Sequence, residues 1–465
     1  MRCPPLPSGF TVRLGPRTRT RGGLLVGSSG AVLRLRPRAR RLLSADGRVV
    51  AGDPDATTVA RLLLDSGLAD PCWDSPTESP VDDVTVVVPV RDRPRQLARL
   101  LAALPGLPVV VVDDGSADQA SIRAVAEEFG AVLLRHERSA GPAAARNSGL
   151  AVARTPLVAF VDSDVVPVPG WLGVLRRHLD DAAVGIVGPR VLGGEPRPDD
   201  SWLCRYEAAR SSLDLGPRPA PVRPLGRVAY LPSAALLVRR SACPVFDETM
   251  RVAEDVDLVW RVHQAGWRVR YEPAAVVRHD HRTALLPWLR RKAYYGTGAA
   301  PLAARHGSDV APLVLTPWTA GLTLCVLAQR RWSLPAAGLL SAAATARLAP
   351  RVGVRTAATL TGLGTAGTLL QTASALTRHY WPLAAAVCVR SSRARRAVAL
   401  AAVPGAVLDH RRVRPDLDLP RFLVARWLDD LAYGGGLWAG VLREGSPRAL
   451  VPAFRGFHIS RRGNR

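Results

Sequence analysis

Lysine is almost absent from this chain, so its basic charge comes from arginine. Of the 63 basic residues in a chain of 465, Lys292 is the one lysine, and with 39 acidic residues the formal net charge is +24. A charge of this size favours nucleic acid or anionic lipid as a partner. Aromatic residues are also few, at 5% of the chain. Because the arginines are dispersed and not interleaved with aromatic residues, we expect no nucleic acid partner.

Cysteine is scarce and is not arranged for metal binding or redox chemistry. No two cysteines form a C-x-x-C pair, and none has zinc-finger spacing with histidine. Isolated cysteines of this kind are most often small buried hydrophobic residues. The six are Cys3, Cys72, Cys204, Cys243, Cys325 and Cys388. The first residues, MRCPPLPSGF, lack the apolar run of a secretion signal, so we expect the functional site to work in the cytoplasm.

Apolar residues, by contrast, make up 48% of the chain, which is enough for a sizeable core. The length predicts two or three domains. Residues 1–73 are rich in arginine and glycine, and the polar segment DSPTESPVDD at 74–83 is typical of a linker. The elements predicted before this linker are three short strands and one helix, at Phe10–Leu14, Gly23–Val26, Val32–Leu35 and Ala56–Leu68.

From Val84 onward, strand patterns alternate with helix patterns. The run Val84–Val90 is almost entirely apolar and β-branched, which favours a strand buried on both faces of a parallel sheet. The alternation predicts right-handed βαβ units, and therefore an α/β domain with a doubly wound sheet over 84–305. The elements predicted next are the helix Arg93–Leu104, the strand Val109–Val112, the helix Ala117–Phe129, the strand Ala131–Leu134, the helix Pro142–Ala153 and the strand Leu157–Val161.

Acidic residues follow two of these predicted strands, at the edge where parallel sheets bind their ligands. Asp114 is followed by a Gly-Ser turn after the second strand, and Asp162 and Asp164 follow the fourth. Two carboxylates at this spacing can surround one divalent ion, Mg²⁺ or Mn²⁺, which would offset negative charge on a departing diphosphate. Each acidic group taken alone is equally typical of an ordinary turn.

Two predicted helix starts carry further candidates. The stretch AGPAAARNSGL at 140–150 begins with Gly-Pro, which places free N–H groups near a bound anion, with Arg146 further along; the alternative is a surface helix. Glu254 and Asp255 stand at the start of the helix in AEDVDLVWRVHQAGW. Acids at such a position are either ordinary caps or ionised carboxylates available for catalysis.

The combination of motifs is more specific than its parts. In order and spacing it resembles the inverting family 2 glycosyltransferases with the GT-A fold, over about residues 83–285. The motifs that carry the resemblance are VVVPVRDRP, VVVDDGS, AGPAAARNSGL, FVDSD, LPSAALLVRR and AEDVDLVWRVHQAGW. The resemblance implies a sugar-nucleotide donor and a single in-line displacement.

The same resemblance implies a role for each candidate residue. Asp255 would be the general base that deprotonates an acceptor hydroxyl. Donor-binding positions would be Pro89, Asp114, Arg146, Asp162, Ser163 and Asp164. The metal ligands would be Asp164, Asp162 and His279, with His281 as the competing candidate. The acceptor side would hold Ser233, Glu254 and Trp267. The diphosphate would contact Arg290, Arg291 and Lys292, unless these form a solvated charge run.

One motif of the polymer-forming members is missing. Processive synthases of this family carry Q-x-x-R-W, and the nearest match here, Gln264 to Trp267, has no arginine before the tryptophan. This difference argues against a polymer that threads through a membrane channel, and leaves addition of short oligosaccharides open.

The C-terminal region, 306–465, is rich in alanine and is predicted to be helical. Its segments 310–329 and 356–377 are uncharged, long enough to span a bilayer and flanked by arginine, although rich in Ala, Thr and Gly. We therefore expect membrane association, either multi-pass or peripheral, with the sheet domain in the cytoplasm. The alternative is a soluble alanine-rich helical domain.

The N-terminal region resembles the winged-helix-like peptide-binding modules of enzymes that modify ribosomal peptides, over about residues 5–72. With the peptide-binding module first, the family 2 domain second and the alanine-rich region last, the chain resembles the glycosyltransferases of mycofactocin biosynthesis in actinobacteria. That resemblance implies a peptide-derived acceptor, UDP-glucose as donor and a β-1,4-linked product. The alternatives are a lipid or cell-wall acceptor, and a non-catalytic scaffold that binds a sugar nucleotide or a peptide.

Overall fold

The computed structural model describes residues 4–27, 30–73, 80–194, 199–280 and 284–455. It divides into two compact units. The sheet unit consists of Met1–Arg197 with Arg210–His281, and the helical unit of Pro198–Ala209 with Arg282–Arg465. Most of the predicted linker, and His281, lie outside the described residues.

The sheet unit begins with a small module, residues 4–73, built from short strands. Two three-stranded antiparallel sheets form, with strand orders β5-β1-β6 and β2-β3-β4. The elements are β1 (Thr11–Leu14), β2 (Arg19–Arg21), β3 (Leu24–Val26), β4 (Val32–Arg34), α1 (Pro37–Arg41), β5 (Arg48–Val50), α2 (Pro54–Ser66) and β6 (Ala69–Pro71). The predicted strands and helix are thus present. A winged-helix module is not confirmed, because α2 is the one helix of this part longer than five residues.

Helix α2 holds the module together. It begins where the Asp53 carboxylate accepts a hydrogen bond from the N–H of Ala56 at 2.8 Å, and it ends at Gly67 in the left-handed conformation, φ +69°. Its apolar face is buried against both small sheets. The residues of that face are Ala56, Val59, Ala60, Leu63 and Leu64.

Arginine–aspartate pairs join this module to the rest of the sheet unit. Arg61 of α2 donates two hydrogen bonds from Nη1 and Nη2 to the carboxylate of the buried Asp181, at 2.5 and 2.8 Å. Arg268 makes the same bidentate contact with the carboxylate of Asp65, with both hydrogen bonds 2.6 Å long. Because a guanidinium binds a carboxylate through two parallel hydrogen bonds, these pairs fix orientation as well as distance.

The remainder of the sheet unit is a nine-stranded sheet flanked by helices. Its strands are β7 (Val84–Val90), β8 (Val109–Asp113), β9 (Val132–Arg135), β10 (Leu157–Val161), β11 (Val165–Pro167), β12 (Val184–Gly193), β13 (Ala220–Val222), β14 (Ala235–Arg239) and β15 (Arg268–His279). The helices of this stretch are α3 (Pro94–Ala102), α4 (Gln119–Glu128), α5 (Pro142–Val152), α6 (Trp171–Arg176), α7 (Trp202–Arg210), most of which belongs to the helical unit, and α8 (Glu254–Gln264).

The sheet is mixed, which corrects the prediction of a doubly wound parallel sheet. The strand order is β11-β15-β12-β14-β10-β7-β8-β9, with β13 paired to β15. Strands β10, β7, β8 and β9 are parallel, as predicted, but β14 runs antiparallel to both β10 and β12. The sequence pattern missed this reversal because a buried apolar run reads the same in either direction. Strands β7 and β10 have the predicted bounds.

The helical unit contains eight further helices among the described residues, and a short parallel pair of strands, β16 (Val314–Leu315) and β17 (Ala453–Phe454). The helices are α9 (Leu285–Thr297), α10 (Ala299–His306), α11 (Pro317–Ala328), α12 (Ser333–Val352), α13 (Val354–Ser374), α14 (Trp381–Arg390), α15 (Ser392–Val413) and α16 (Leu419–Glu444).

The two predicted membrane spans are not confirmed. The segment 310–329 is divided between a turn, β16 and α11, and the 12 residues of α11 extend about 18 Å, less than the ~30 Å hydrocarbon core of a bilayer. Within the ranges that the structure describes, no helix combines the length and the apolar character needed to cross a membrane.

Glycines let α16 approach its neighbours closely. A methyl group placed on Gly436 would overlap the carbonyl oxygen of Ala293 in α9, and one on Gly434 would overlap that of Arg378. Gly296 of α9 faces α16 in the same way, against the carbonyl oxygen of Tyr433. Backbone therefore packs directly on backbone between these helices, which small residues alone permit.

Gly436→Ala is expected to destabilise the protein, by about 1–3 kcal/mol for an overpacked contact, because backbone of α9 would have to move. Gly435→Ala is the matched control, since a methyl group there has no neighbour within 4 Å. In a helix interior that control should stabilise by up to about 1 kcal/mol. Thermal unfolding followed by circular dichroism measures both; equal melting temperatures for the two variants would contradict the described packing.

Candidate active site

The acidic motifs meet at one edge of the sheet. Strands β7, β8 and β10 are parallel, with Val87 opposite Phe160 and Val90 opposite Asp113, so their carboxyl ends lie side by side. Asp114 follows β8, and Asp162 follows β10. The structure thus confirms that both acidic groups lie at the predicted ligand-binding edge.

Asp114 holds the loop that leads into α5. Its carboxylate, 5% exposed, accepts hydrogen bonds from the hydroxyl of Ser139 at 2.7 Å and from the N–H groups of Ala140 and Gly141 at 2.8 and 2.9 Å. The ring of His136 lies 2.8 Å from the same carboxylate. Burial raises the pKa of Asp114, but these hydrogen bonds outweigh burial and hold the pKa below its usual value. Direct contact with a nucleotide base stays a prediction.

Arg146 joins the two halves of the site. This residue of α5 is 2% exposed, and its Nη2 lies 2.6 Å from Oδ1 of Asp162 while its Nη1 lies 3.1 Å from Oε1 of Glu254. The guanidinium also lies over the ring of Phe246, 5.4 Å from its centre. Burial lowers the pKa of Arg146, but the charges of Asp162, Glu254 and Asp255 outweigh it and raise the pKa above its ordinary value. The predicted donor motif and the predicted acceptor-side motif are therefore parts of one site.

Asp255 stands at the start of α8 in a position suited to a base. Its Oδ2 accepts a hydrogen bond from the N–H of Ser233 at 3.0 Å, and its Oδ1 one from Val256 at 2.8 Å. Burial, and then the charge of Glu254, raise the pKa of Asp255 to about 6, against the lowering effect of the Ser233 N–H and Arg146. A carboxylate with this pKa is ionised at neutral pH and still accepts a proton readily. Ser233 and Glu254 thus lie beside Asp255, and their contact with an acceptor stays a prediction.

Sheet pairing brings His279 to the DSD motif. Strand β11, which follows Asp164, pairs antiparallel with the end of β15 so that Val165 lies opposite His279. The Nε2 of His279 lies 3.6 Å from Oδ1 of Asp164. The other predicted ligand, Asp162, is engaged by Arg146. Among the residues that the structure describes, no group of three or more histidine, cysteine or acidic side chains is arranged to hold a metal ion.

Several residues of the site lie within the quoted motifs but were given no role from the sequence. Arg93 forms an ion pair with Asp164. Asp92 adopts a left-handed conformation, φ 55°, and its carboxylate accepts a hydrogen bond from the N–H of Ala117 at 2.8 Å. Ala253, just before the helix start, is also left-handed, φ 64°. Non-glycine residues in this conformation are strained and cluster at functional sites, but neither the arginine-rich loop nor an alanine reveals it in sequence.

Trp267 does not fit its predicted place on the acceptor side. It follows the C-terminal end of α8, whereas Asp255 is at the start, and a helix of 11 residues extends about 16 Å. Trp267 packs beside Gly185 near the start of β12.

The two remaining donor positions lie at the strand ends. Pro89 is half-buried on β7, and Ser163, just after β10, is 4% exposed.

The predicted diphosphate contacts belong to the helical unit, on α9. Lys292 is 4% exposed, and its ammonium lies 2.8 Å from Glu207 and 3.5 Å from Asp429. An ammonium buried between two carboxylates does not fit a diphosphate contact. Arg290 and Arg291 are exposed, and the guanidinium of Arg291 lies over the ring of Tyr295 at 4.8 Å. For these two arginines the diphosphate contact stays a prediction.

Comparison with known proteins identifies relatives of the whole chain. Residues 85–242 match the model of glycosyl transferase family 2. A pre-mycofactocin glycosyltransferase of Mycobacterium tuberculosis is 46% identical over 97% of this chain and 99% of its own length. The succinoglycan biosynthesis protein ExoU of Rhizobium meliloti is 29% identical over 49% of this chain and 72% of its own.

A solved structure is similar to this chain at a lower level. The mannosyltransferase of Pyrobaculum calidifontis in complex with GDP-Man and Mn²⁺ is 21% identical and covers 65% of this chain and 90% of its own, with a TM-score of 0.39. This likeness is too distant to inform the site.

Arg146→Met is expected to destabilise the sheet unit by about 3 kcal/mol, because it leaves Asp162 and the buried Glu254 without their shared partner. Arg154→Met is the matched control, an exposed arginine just beyond the end of the same helix, which should change stability by less than about 0.5 kcal/mol. Thermal unfolding measures both. An unchanged melting temperature for Arg146→Met would show that the bridge contributes no stability.

Proposed function

The chain belongs to the pre-mycofactocin glycosyltransferases of glycosyl transferase family 2, and we propose that it transfers glucose from UDP-glucose to the peptide-derived mycofactocin precursor. The proposed reaction inverts the anomeric carbon and builds a β-1,4-linked oligosaccharide. The observation that carries the proposal is Asp255, a carboxylate of raised pKa that Arg146 and Glu254 connect to the DSD motif. In a displacement reaction the sugar donor and the acceptor hydroxyl must lie side by side, as the DSD motif and Asp255 do here.

In the proposed mechanism, Asp255 accepts the proton of the acceptor hydroxyl as its oxygen attacks the anomeric carbon. The new carbon–oxygen bond forms as the bond to the diphosphate breaks, and UDP departs with the electron pair. The Ser233 N–H holds the carboxylate in place through the 3.0 Å hydrogen bond. General-base catalysis of this kind contributes about 10²–10⁴-fold to a rate, and positioning contributes much of the rest.

A divalent cation, Mg²⁺ or Mn²⁺, fits beside Asp164 and His279. Two ligands at about 2.1 Å from one ion lie about 3.0–3.6 Å apart, and the oxygen of Asp164 and the nitrogen of His279 are separated by 3.6 Å. Such an ion takes few protein ligands and completes its shell with phosphate oxygens and water. When bound, it supplies a positive charge that offsets the charge of the departing diphosphate. Arg146 keeps Asp162 in place next to this pair.

The N-terminal module would receive the peptide part of the acceptor. Its small sheets have edge strands, among them β2, whose residues Arg19–Arg21 are all exposed. A peptide binds such an edge by adding a strand. The ion pairs of Arg61 and Arg268 couple the module to the sheet unit, so an acceptor bound there is held by the unit that contains Asp255.

The transfer assay combines purified protein, UDP-glucose and the peptide-derived precursor, and mass spectrometry counts the hexoses added. We expect addition with Mg²⁺ or Mn²⁺, no addition with a chelator, and a rate at least about 100-fold lower for Asp164→Ala. Asp82→Ala, at an exposed acid outside the site, is the control. Glucose on a lipid acceptor but not on the precursor would favour the lipid or cell-wall alternative. Transfer from no common sugar nucleotide by folded protein would contradict the proposal.

Asp255→Asn is expected to lower kcat by about 10²–10⁴-fold while UDP-glucose still binds. For the unmodified enzyme, kcat/KM should rise with pH around an apparent pKa of about 6, because the base must be ionised. Since the folded-state pKa lies above the unfolded value, ionised Asp255 costs stability as pH rises through this range. The variant should therefore melt no lower than the parent at neutral pH. An unchanged kcat would remove Asp255 from the mechanism.

We propose a peripheral position on an anionic membrane for the helical unit. The face of α13 that packs against other helices includes Thr361, Thr368 and Thr372, whereas leucines such as Leu363 and Leu369 are exposed. Polar residues inside and apolar residues outside form a pattern that fits a lipid surface better than water. The arginines of 390–396 add charge complementary to anionic lipid.

Flotation with vesicles tests this position. We expect the protein to float with phosphatidylglycerol vesicles and much less with phosphatidylcholine vesicles, and Leu339→Glu, at a residue 72% exposed on α12, to weaken the binding. Val132→Glu, at a residue 57% exposed in the sheet unit, is the control. Protein that stays at the bottom of the gradient with both vesicle types would contradict a membrane position.

A further inference from the structure

A cavity of about 430 Å³ lies within the helical unit, between the start of α7 and the start of α16. It is separate from the residues assigned above to the donor, the metal and the base. Its volume is in the range of small-molecule binding sites, ~300–1,000 Å³. Its walls are of two kinds, one apolar and one charged.

The apolar wall is formed by Trp202 and Leu417. Both side chains are partly buried and pack on a core of larger residues beneath them, which include Tyr206 and Phe422 with ring centres 5.4 Å apart. That support holds the apolar wall in place. The indole of Trp202 is therefore presented to the cavity as part of a fixed surface.

The charged residues of the rim form ion pairs with one another. Nη1 of Arg205 lies 2.7 Å from Oδ2 of Asp416, and Nη1 of Arg421 lies 3.2 Å from Oδ2 of Asp418. Asp418 also caps α16 by accepting the N–H of Arg421 at 3.0 Å. With Asp200, the lining holds two arginines and three aspartates, a net charge of −1. The rim therefore offers hydrogen-bond donors and acceptors with little net charge.

This combination selects one class of ligand. A phosphate or nucleotide would meet more carboxylates than guanidinium groups. A lipid tail would leave the charged rim without water. A sugar ring, by contrast, has an apolar C–H face that stacks on an indole, and a rim of hydroxyl groups that both donate and accept hydrogen bonds.

We infer that this cavity binds a neutral oligosaccharide, the glycan that the enzyme extends. The inference rests on the proposed function, since it is the proposed reaction that makes such a glycan. A glycan retained on the enzyme remains at high effective concentration for the next transfer. This retention would let a protein without the Q-x-x-R-W motif add several sugars to one acceptor.

Titration of the full chain with cellotetraose, without UDP-glucose, tests the inference by calorimetry. We expect saturable binding that Trp202→Leu weakens at least tenfold, which corresponds to about 1.4 kcal/mol. Asp416→Asn should also weaken it, and because the Asp416 side chain is 86% exposed this change spares the fold. Trp332→Leu, at a tryptophan 51% exposed in the same unit, should leave binding unchanged.

Three results would overturn the inference. The first is the absence of saturable binding by the folded parent protein, the second is equal affinity in Trp202→Leu, Asp416→Asn and the parent, and the third concerns a charged probe. Pyrophosphate serves as the charged probe, and its tighter binding at this cavity would also overturn the inference. Because the titration contains no donor, it separates this site from the reaction: a protein that binds cellotetraose but transfers no glucose would contradict the proposed function alone.

Discussion

The buried guanidinium of Arg146 joins Asp162, at the end of one strand, to Glu254, at the start of α8. Taking the charges of Arg146 and Glu254 out of water costs free energy, and pairing with each other and with the partly exposed Asp162 offsets that cost as long as all three are present. The position of Asp255 depends on this arrangement, because it follows Glu254 directly and its raised pKa arises from burial and from that neighbouring charge. One side chain of α5 thus links the geometry of the DSD motif to the proposed base.

The near absence of lysine gains a physical meaning from the structure. Arginine makes the bidentate ion pairs that attach the N-terminal module, such as Arg61 with Asp181. Another arginine, Arg146, bridges Asp162 and Glu254 in the candidate active site. Its planar group binds carboxylates in a fixed orientation, which the flexible lysine ammonium does not do. Much of the basic charge is therefore used inside the molecule. Even Lys292 is buried, between Glu207 and Asp429.

The helical unit shows why composition alone does not identify a membrane span. Runs of alanine, threonine and glycine suit a membrane span, and they equally suit helices that approach each other closely. Here Gly436 places α16 directly against the backbone of α9, and the hydroxyl groups of Thr323 and Thr372 meet between helices at 3.3 Å. Hydropathy averages over a segment and does not distinguish the side that packs from the side that is exposed.

The local elements and the order of the motifs can be predicted from the amino-acid sequence. Val84–Val90 and Leu157–Val161 have their predicted bounds because each is a short apolar run, rich in β-branched residues in the first case, and such runs favour a buried strand. Asp114, Asp162 and Asp255 were found because each follows a strand end or begins a helix. Which of these groups come into contact depends on the packing of distant segments. The pairing of β11 with β15 places His279 beside Asp164, and burial directs Arg146 to Glu254, 108 residues away. Neither contact leaves a local pattern, because both depend on how distant segments pack.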